Sequence, residues 1–126
     1  MKSFISAMII AILLVWGSGR YMSELESISG ELYEVNKNAY AALEAEDYSE
    51  AEKDIDEIYS TLEDHHMFFA AMGNHTELDN IKTNLAELKV YTQSREKHDA
   101  MSKCMVLSFL FEHLPGNSRL KIENIL

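Results

Sequence analysis

The chain has one cysteine, one proline and one tryptophan, and no acidic residue before Glu24. A single cysteine, Cys104, excludes an intramolecular disulfide and any CxxC or zinc pattern. Its position, far from the N-terminus, also excludes a lipoprotein acylation site. One proline, Pro115, and five glycines leave long stretches with nothing to interrupt a helix. No segment alternates apolar and polar residues over any length, which argues against a sheet. There is no HExxH, no nucleophile elbow, no phosphate-cradling glycine loop and no calcium-loop spacing.

What the sequence does have begins with an apolar run from Phe4 to Trp16, behind the single basic residue Lys2. With the small residues around it, the run reaches the low end of what crosses about 30 Å of hydrocarbon. Trp16 and Tyr21 suit the membrane interface. Residues 1–20 are therefore expected to form a membrane anchor and residues 21–126 an extracytoplasmic domain, with Lys2 on the inner side. Lys2, the apolar run and Gly17-Ser18-Gly19 also fit a cleaved secretion signal.

Net charge is −10, and it is unevenly spread. From Glu24 to Asp64 there are 14 acids and two bases; from His65 onward there are seven of each. An acidic first half repels nucleic acid and anionic headgroups. It reads as a solvated face, or as a docking surface for a basic partner.

Four helices follow from apolar spacing in steps of three and four. The first carries Met22, Leu25, Ile28, Leu32, Val35, Ala39 and Leu43. The second carries Ala51, Ile55, Ile58, Leu62, His65, Phe69 and Met72. The third carries Leu78, Ile81, Leu85, Leu88 and Thr92, and the fourth Cys104, Leu107, Phe111 and Leu114. Asp47 with Glu50, and Asn74 with Glu77, are helix-start signals. Pro115-Gly116-Asn117-Ser118 is expected to end the fourth helix, with Leu120 to Leu126 folding back on the bundle. A shift of 49 residues lays Ala51 on Ala100, Ile55 on Cys104, Ile58 on Leu107 and Leu62 on Phe111. The expected fold is all-α: an N-terminal transmembrane helix and a bundle of about four helices, as two hairpins.

His75-Thr76-Glu77-Leu78-Asp79-Asn80-Ile81, Asn84 to Lys89, Phe109, Glu112-His113-Leu114-Pro115 and Glu123-Asn124-Ile125-Leu126 stand behind the apolar run. In combination the chain resembles the bacterial family catalogued as domain of unknown function 4363. The resemblance implies a small membrane-anchored helical protein of Gram-positive bacteria with no assigned activity. It also implies a small integral-membrane protein as a partner, and it favours a retained anchor over a cleaved signal.

No catalytic, cofactor-binding or metal residue is expected. Five histidines include one ExxH pair, Glu63 and His66, whereas a di-iron bundle needs two such pairs and two further glutamates. His65 falls in the apolar seam and reads as a hydrogen-bonded core residue; His75 reads as part of a helix start. Cys104 reads as a small core residue. The anomaly is the fourth helix, apolar almost all round from Cys104 to Phe111, where one stripe is expected. Either it is central and covered by the tail, or Met105 and Phe109 face a partner. The expected function is a non-enzymatic accessory or interaction subunit at the outer face of the cytoplasmic membrane. The rivals are a secreted binding module and a metal-dependent enzyme.

Overall fold

The computed structural model describes the backbone of residues 1–71 and 75–125, and side chains as far as residue 114. Within them are α1 (Lys2–Glu44), α2 (Tyr48–Asp64), α3 (His66–Ala71), α4 (His75–Gln93) and α5 (Lys97–Ile125), and no strand. α1 packs on α2 and α5, and α4 packs on the same two helices. The four long helices thus occupy the corners of a square, up-down-up-down, with α1 and α4 on one diagonal.

The core is the expected seam. Leu25, Leu32, Ala39 and Leu43 of α1 meet Ala51, Ile55 and Ile58 of α2, with Ile81, Leu85 and Leu88 of α4 and Cys104, Leu107 and Phe111 of α5. Leu62 and Leu85 are both buried. Met72 and Asn74, the first residue of the Asn74–Glu77 start signal, lie outside the described residues.

The 49-residue shift extends to the hydrogen bonds of the turns. After α1, Glu46 N–H donates to the Leu43 carbonyl (3.0 Å) and Asp47 N–H to the Ala42 carbonyl (2.8 Å). After α4, Arg95 N–H donates to Thr92 (3.1 Å) and Glu96 N–H to Tyr91 (2.9 Å). Glu46 and Arg95, themselves 49 apart, are the two non-glycine residues with positive φ among the described residues, 60° and 58°. This is the paired closure of a helix end around a left-handed residue, a place usually given to glycine. Asp47 caps α2 as expected, its side chain accepting from Glu50 N–H at 3.2 Å. At this end Lys97 reaches Glu46 at 3.6 Å and ties the two turns together.

Two expectations about helix ends are corrected. The second helix is not continuous to Met72: it stops at Asp64 and resumes as α3. His65 Nδ1–H donates to the Thr61 carbonyl at 2.9 Å, which its own backbone N–H also reaches at 3.2 Å. A side chain competing for a helical carbonyl bends the chain there. Nor does Pro115 end the last helix, which runs on to Ile125, so the tail does not fold back. Proline has no N–H to offer the carbonyl four residues earlier, that of Phe111. The buried Ser29 hydroxyl of α1 donates to that same carbonyl. The break is mended from a neighbouring helix.

Candidate functional site

α1 is 43 residues long, about 65 Å at 1.5 Å per residue. Residues 25–43 lie in the bundle, but every residue from 1 to 20 is exposed. The most apolar window of α1 has a mean hydropathy of 1.7 and none of it is buried. It is long and apolar enough to cross a membrane, a property that signal sequences share. Aromatic side chains mark where rod becomes bundle. The Arg20 guanidinium lies 5.4 Å from the Trp16 ring, and Tyr21 stacks on Phe68 of α3 at 4.5 Å. Such rings suit the boundary between hydrocarbon and water.

The second feature is the outer face of α5. Met105 is 63% exposed, Phe109 59% and Val106 39%. The expectation that this helix is central and covered is therefore corrected, since α5 is a corner helix. Phe109 stacks on His113 at 4.1 Å, and His113 Nδ1–H donates to the Phe109 carbonyl at 2.9 Å. The repeat supplies an internal control. Where α5 has Met101, Met105, Val106, Phe109 and His113, α2 has Glu52, Asp56, Glu57, Ser60 and Asp64. The two sets hold equivalent positions in one framework. Apolarity is thus not a requirement of the corner.

The halves also differ in their seams. Between α1 and α5, the buried Asn36 Nδ2–H donates to the Cys104 carbonyl and to Ser108 Oγ, both at 2.8 Å. Asn36 and Ser29 are one heptad apart, and so are their acceptors at 104 and 111. Together they fix the antiparallel register of α1 on α5. In the equivalent seam between α2 and α4, Tyr59 and Leu78 stand where the closed seam has Ser108 and Ser29. That seam opens into a groove of about 360 Å³ lined by Tyr59, Leu62, Phe69, Leu78, His66 and Lys82. The size is at the low end for a small-molecule site.

The histidines are dispersed. His65 is half-buried on its Thr61 bond, and His66, His75, His98 and His113 are exposed. Among the described residues no group of three or more His, Cys, Asp or Glu is placed to hold a metal. Burial pushes the Cys104 thiol up to about 12, so it is no thiolate nucleophile at neutral pH. One residue was missed by sequence reading. Asp54 was grouped with the solvated acids, yet it is only 9% exposed, and burial beside Glu50 and Glu57 raises its carboxyl above the ordinary range. Its spacing from Ala51 and Ile55 on the apolar stripe of α2 is the signal that could have shown this.

No curated protein and no solved structure matches the chain. One family model does, over residues 20–125, beginning where the exposed rod gives way to the bundle. With that match across most of its length, the chain belongs to the family described as domain of unknown function (DUF4363).

Proposed function

We propose that the protein is a single-pass, membrane-anchored interaction module without enzymatic activity. Its N-terminus lies inside and its bundle outside the cytoplasmic membrane. The observation that carries this is α1 itself, whose bare apolar rod runs without a break into the packed bundle. Residues 2–20 span about 28 Å at 1.5 Å per residue, close to the hydrocarbon thickness. Lys2 precedes the run, and all 21 carboxylates follow it. A helix continuous through Gly17, Ser18 and Gly19 supports retention over cleavage.

On this reading the outer face of α5 engages the partner, with Met105 and Phe109 as anchors. Buried apolar side chains carry most of the affinity of an interface, while charge sets encounter rate. The family resemblance makes a small integral-membrane protein the expected partner. The test uses intact protein extracted from native membranes. An export-dependent reporter fused after Leu126 is active, and the mature chain keeps its N-terminus. Met105→Ser with Phe109→Ser abolishes co-purification of the membrane partner and leaves helicity and melting nearly unchanged. A reporter active only in the cytoplasm, or a mature chain starting near residue 20, overturns the anchored topology. A double variant that unfolds the bundle overturns the α5 interface.

A further inference from the structure

α1 passes from the exposed rod into the bundle without a break, so the height of each bundle residue above the rod is fixed. Tyr21 is the first half-buried residue after the rod, and its ring stacks on Phe68 of α3 at 4.5 Å. Along the axis Tyr21 stands only about 7.5 Å beyond Trp16, at 1.5 Å per residue. α3 is thus held beside the aromatic boundary at the end of the rod. It lies where the chain turns back at that end. α2 runs down to Asp64, the chain bends at His65, and α4 runs away again from His75.

α3 has two kinds of side chain. Phe69 is buried and Phe68 half-buried, and both pack against the core. Met67 is left outside. At 81% it is the most exposed large apolar side chain among the described residues beyond the rod. Water offers it no favourable partner, whereas the bilayer that the rod enters is an apolar phase within reach. A flexible thioether adapts well to irregular surroundings of that kind. Glu63 and Asp64, just before α3, are exposed and repel anionic headgroups. The layer that suits α3 is therefore the uncharged one where glycerol meets acyl chain. We infer that α3 is a second membrane contact, with Met67 inserted at the boundary between headgroups and hydrocarbon. The bundle then stands on the bilayer at two points, the rod and α3, and does not swing freely on the rod. This docking presupposes the membrane-anchored topology proposed above.

The experiment uses the full chain in phosphatidylcholine nanodiscs, with discs in excess so that no second copy covers α3. Three native methionines are the reporters: Met8 in the rod, Met67 on α3 and Met105 on α5, which are 50%, 81% and 63% exposed within the protein. Their oxidation to sulfoxide by peroxymonosulfate, an anion excluded from hydrocarbon, is timed by mass spectrometry. Exposure within the protein alone makes Met67 the fastest of the three. Docking is expected to make it at least about fivefold slower than Met105, as for a side chain set about 5–10 Å into the boundary, with Met8 slower still. A lipid carrying a diazirine near the glycerol end of its acyl chain is expected to label the peptide that contains Met67 and not the one that contains Met105. Met67→Glu, at an exposed position, is expected to abolish that labelling and leave melting unchanged. Met67 oxidising as fast as Met105 while Met8 stays protected overturns the docking and leaves the anchor standing. Met8 oxidising as fast as Met105 overturns the anchored topology, and the docking with it. Protection of Met67 without lipid labelling overturns the bilayer as its cover. Labelling that survives Met67→Glu overturns Met67 as the inserted side chain.

Discussion

Ser29→Ala is the sharpest test of how this bundle tolerates a proline in its last helix. Pro115 cannot donate to the Phe111 carbonyl, and the Ser29 hydroxyl does so instead. Ser29 is 3% exposed and Phe111 is fully buried, so water has no route to replace the lost donor. Removing the hydroxyl changes little volume but strands a carbonyl, which costs about 1–3 kcal/mol. For a domain of this size that is a fall of roughly 4–8 °C in melting temperature per kcal/mol. The cost should depend on the proline. In a Pro115→Ala background the new amide N–H satisfies Phe111, and Ser29→Ala then costs about 1 kcal/mol less than it does beside proline. The assay is guanidinium unfolding of residues 21–126, followed by helical circular dichroism in all four members of the cycle, at constant m-value. Equal costs in both backgrounds would refute the reasoning, because Ser29 would then not be answering for the missing amide. A loss under about 0.5 kcal/mol in the native background would refute it as well.

Leu62→Ala and Leu85→Ala each remove a buried side chain facing the shared seam. Each should cost about 2–5 kcal/mol by the same titration, and losses below about 0.5 kcal/mol at both would show that the seam does not carry the core. Asp54 predicts a pH dependence of unusual sign. Its folded carboxyl sits above the ordinary value of 3.8, so between the two values the folded state holds more proton than the unfolded one. Its contribution to stability is therefore present at low pH and lost as pH rises from about 4 through the folded value. The difference in unfolding free energy between Asp54→Asn and wild type should grow over that window and level off above it. A flat difference would show that Asp54 is solvated.

Much of the architecture was legible in the sequence. Apolar steps of three and four gave α1, α4, α5 and the seam residues, and the 49-residue shift was visible from Ala51, Ile55, Ile58 and Leu62 alone. The turns were harder to read, because Glu46 and Arg95 occupy left-handed positions where glycine would have been the signal. The continuation past Pro115 was not legible at all. A proline reads as a stop from local chemistry, and its remedy here comes from Ser29, 82 residues away in sequence. The break at His65 failed for the opposite reason: the residue keeps the period, and a local side-chain bond bends the chain. For the candidate site, the excess apolarity of α5 picked out Met105 and Phe109. Asp54 was lost because three acids in one turn look like a solvated face until the core stripe is drawn through them.

The duplicated frame gives these differences a meaning that single residues lack. At positions 49 apart the turns carry the same hydrogen bonds and the helices within each hairpin pair alike, while the two seams between the hairpins differ. Folding demands at the two positions are thus nearly matched, and a contrast between them is hard to assign to folding. Three contrasts stand out: Met105 and Phe109 against Asp56 and Ser60, Asp54 against Lys103, and an α1 prolonged by a bare apolar rod. The first makes an outer face sticky where its twin is solvated. The second sets Asp54 where its twin has Lys103 paired with Glu87. The third gives one hairpin a membrane-length extension on its first helix. The exposed apolar surface of the rod and of α5 does not improve the bundle as an isolated body in water. The rod is long and apolar enough to cross a bilayer, and Met105 and Phe109 are the exposed side chains on α5 whose burial an apolar surface would reward.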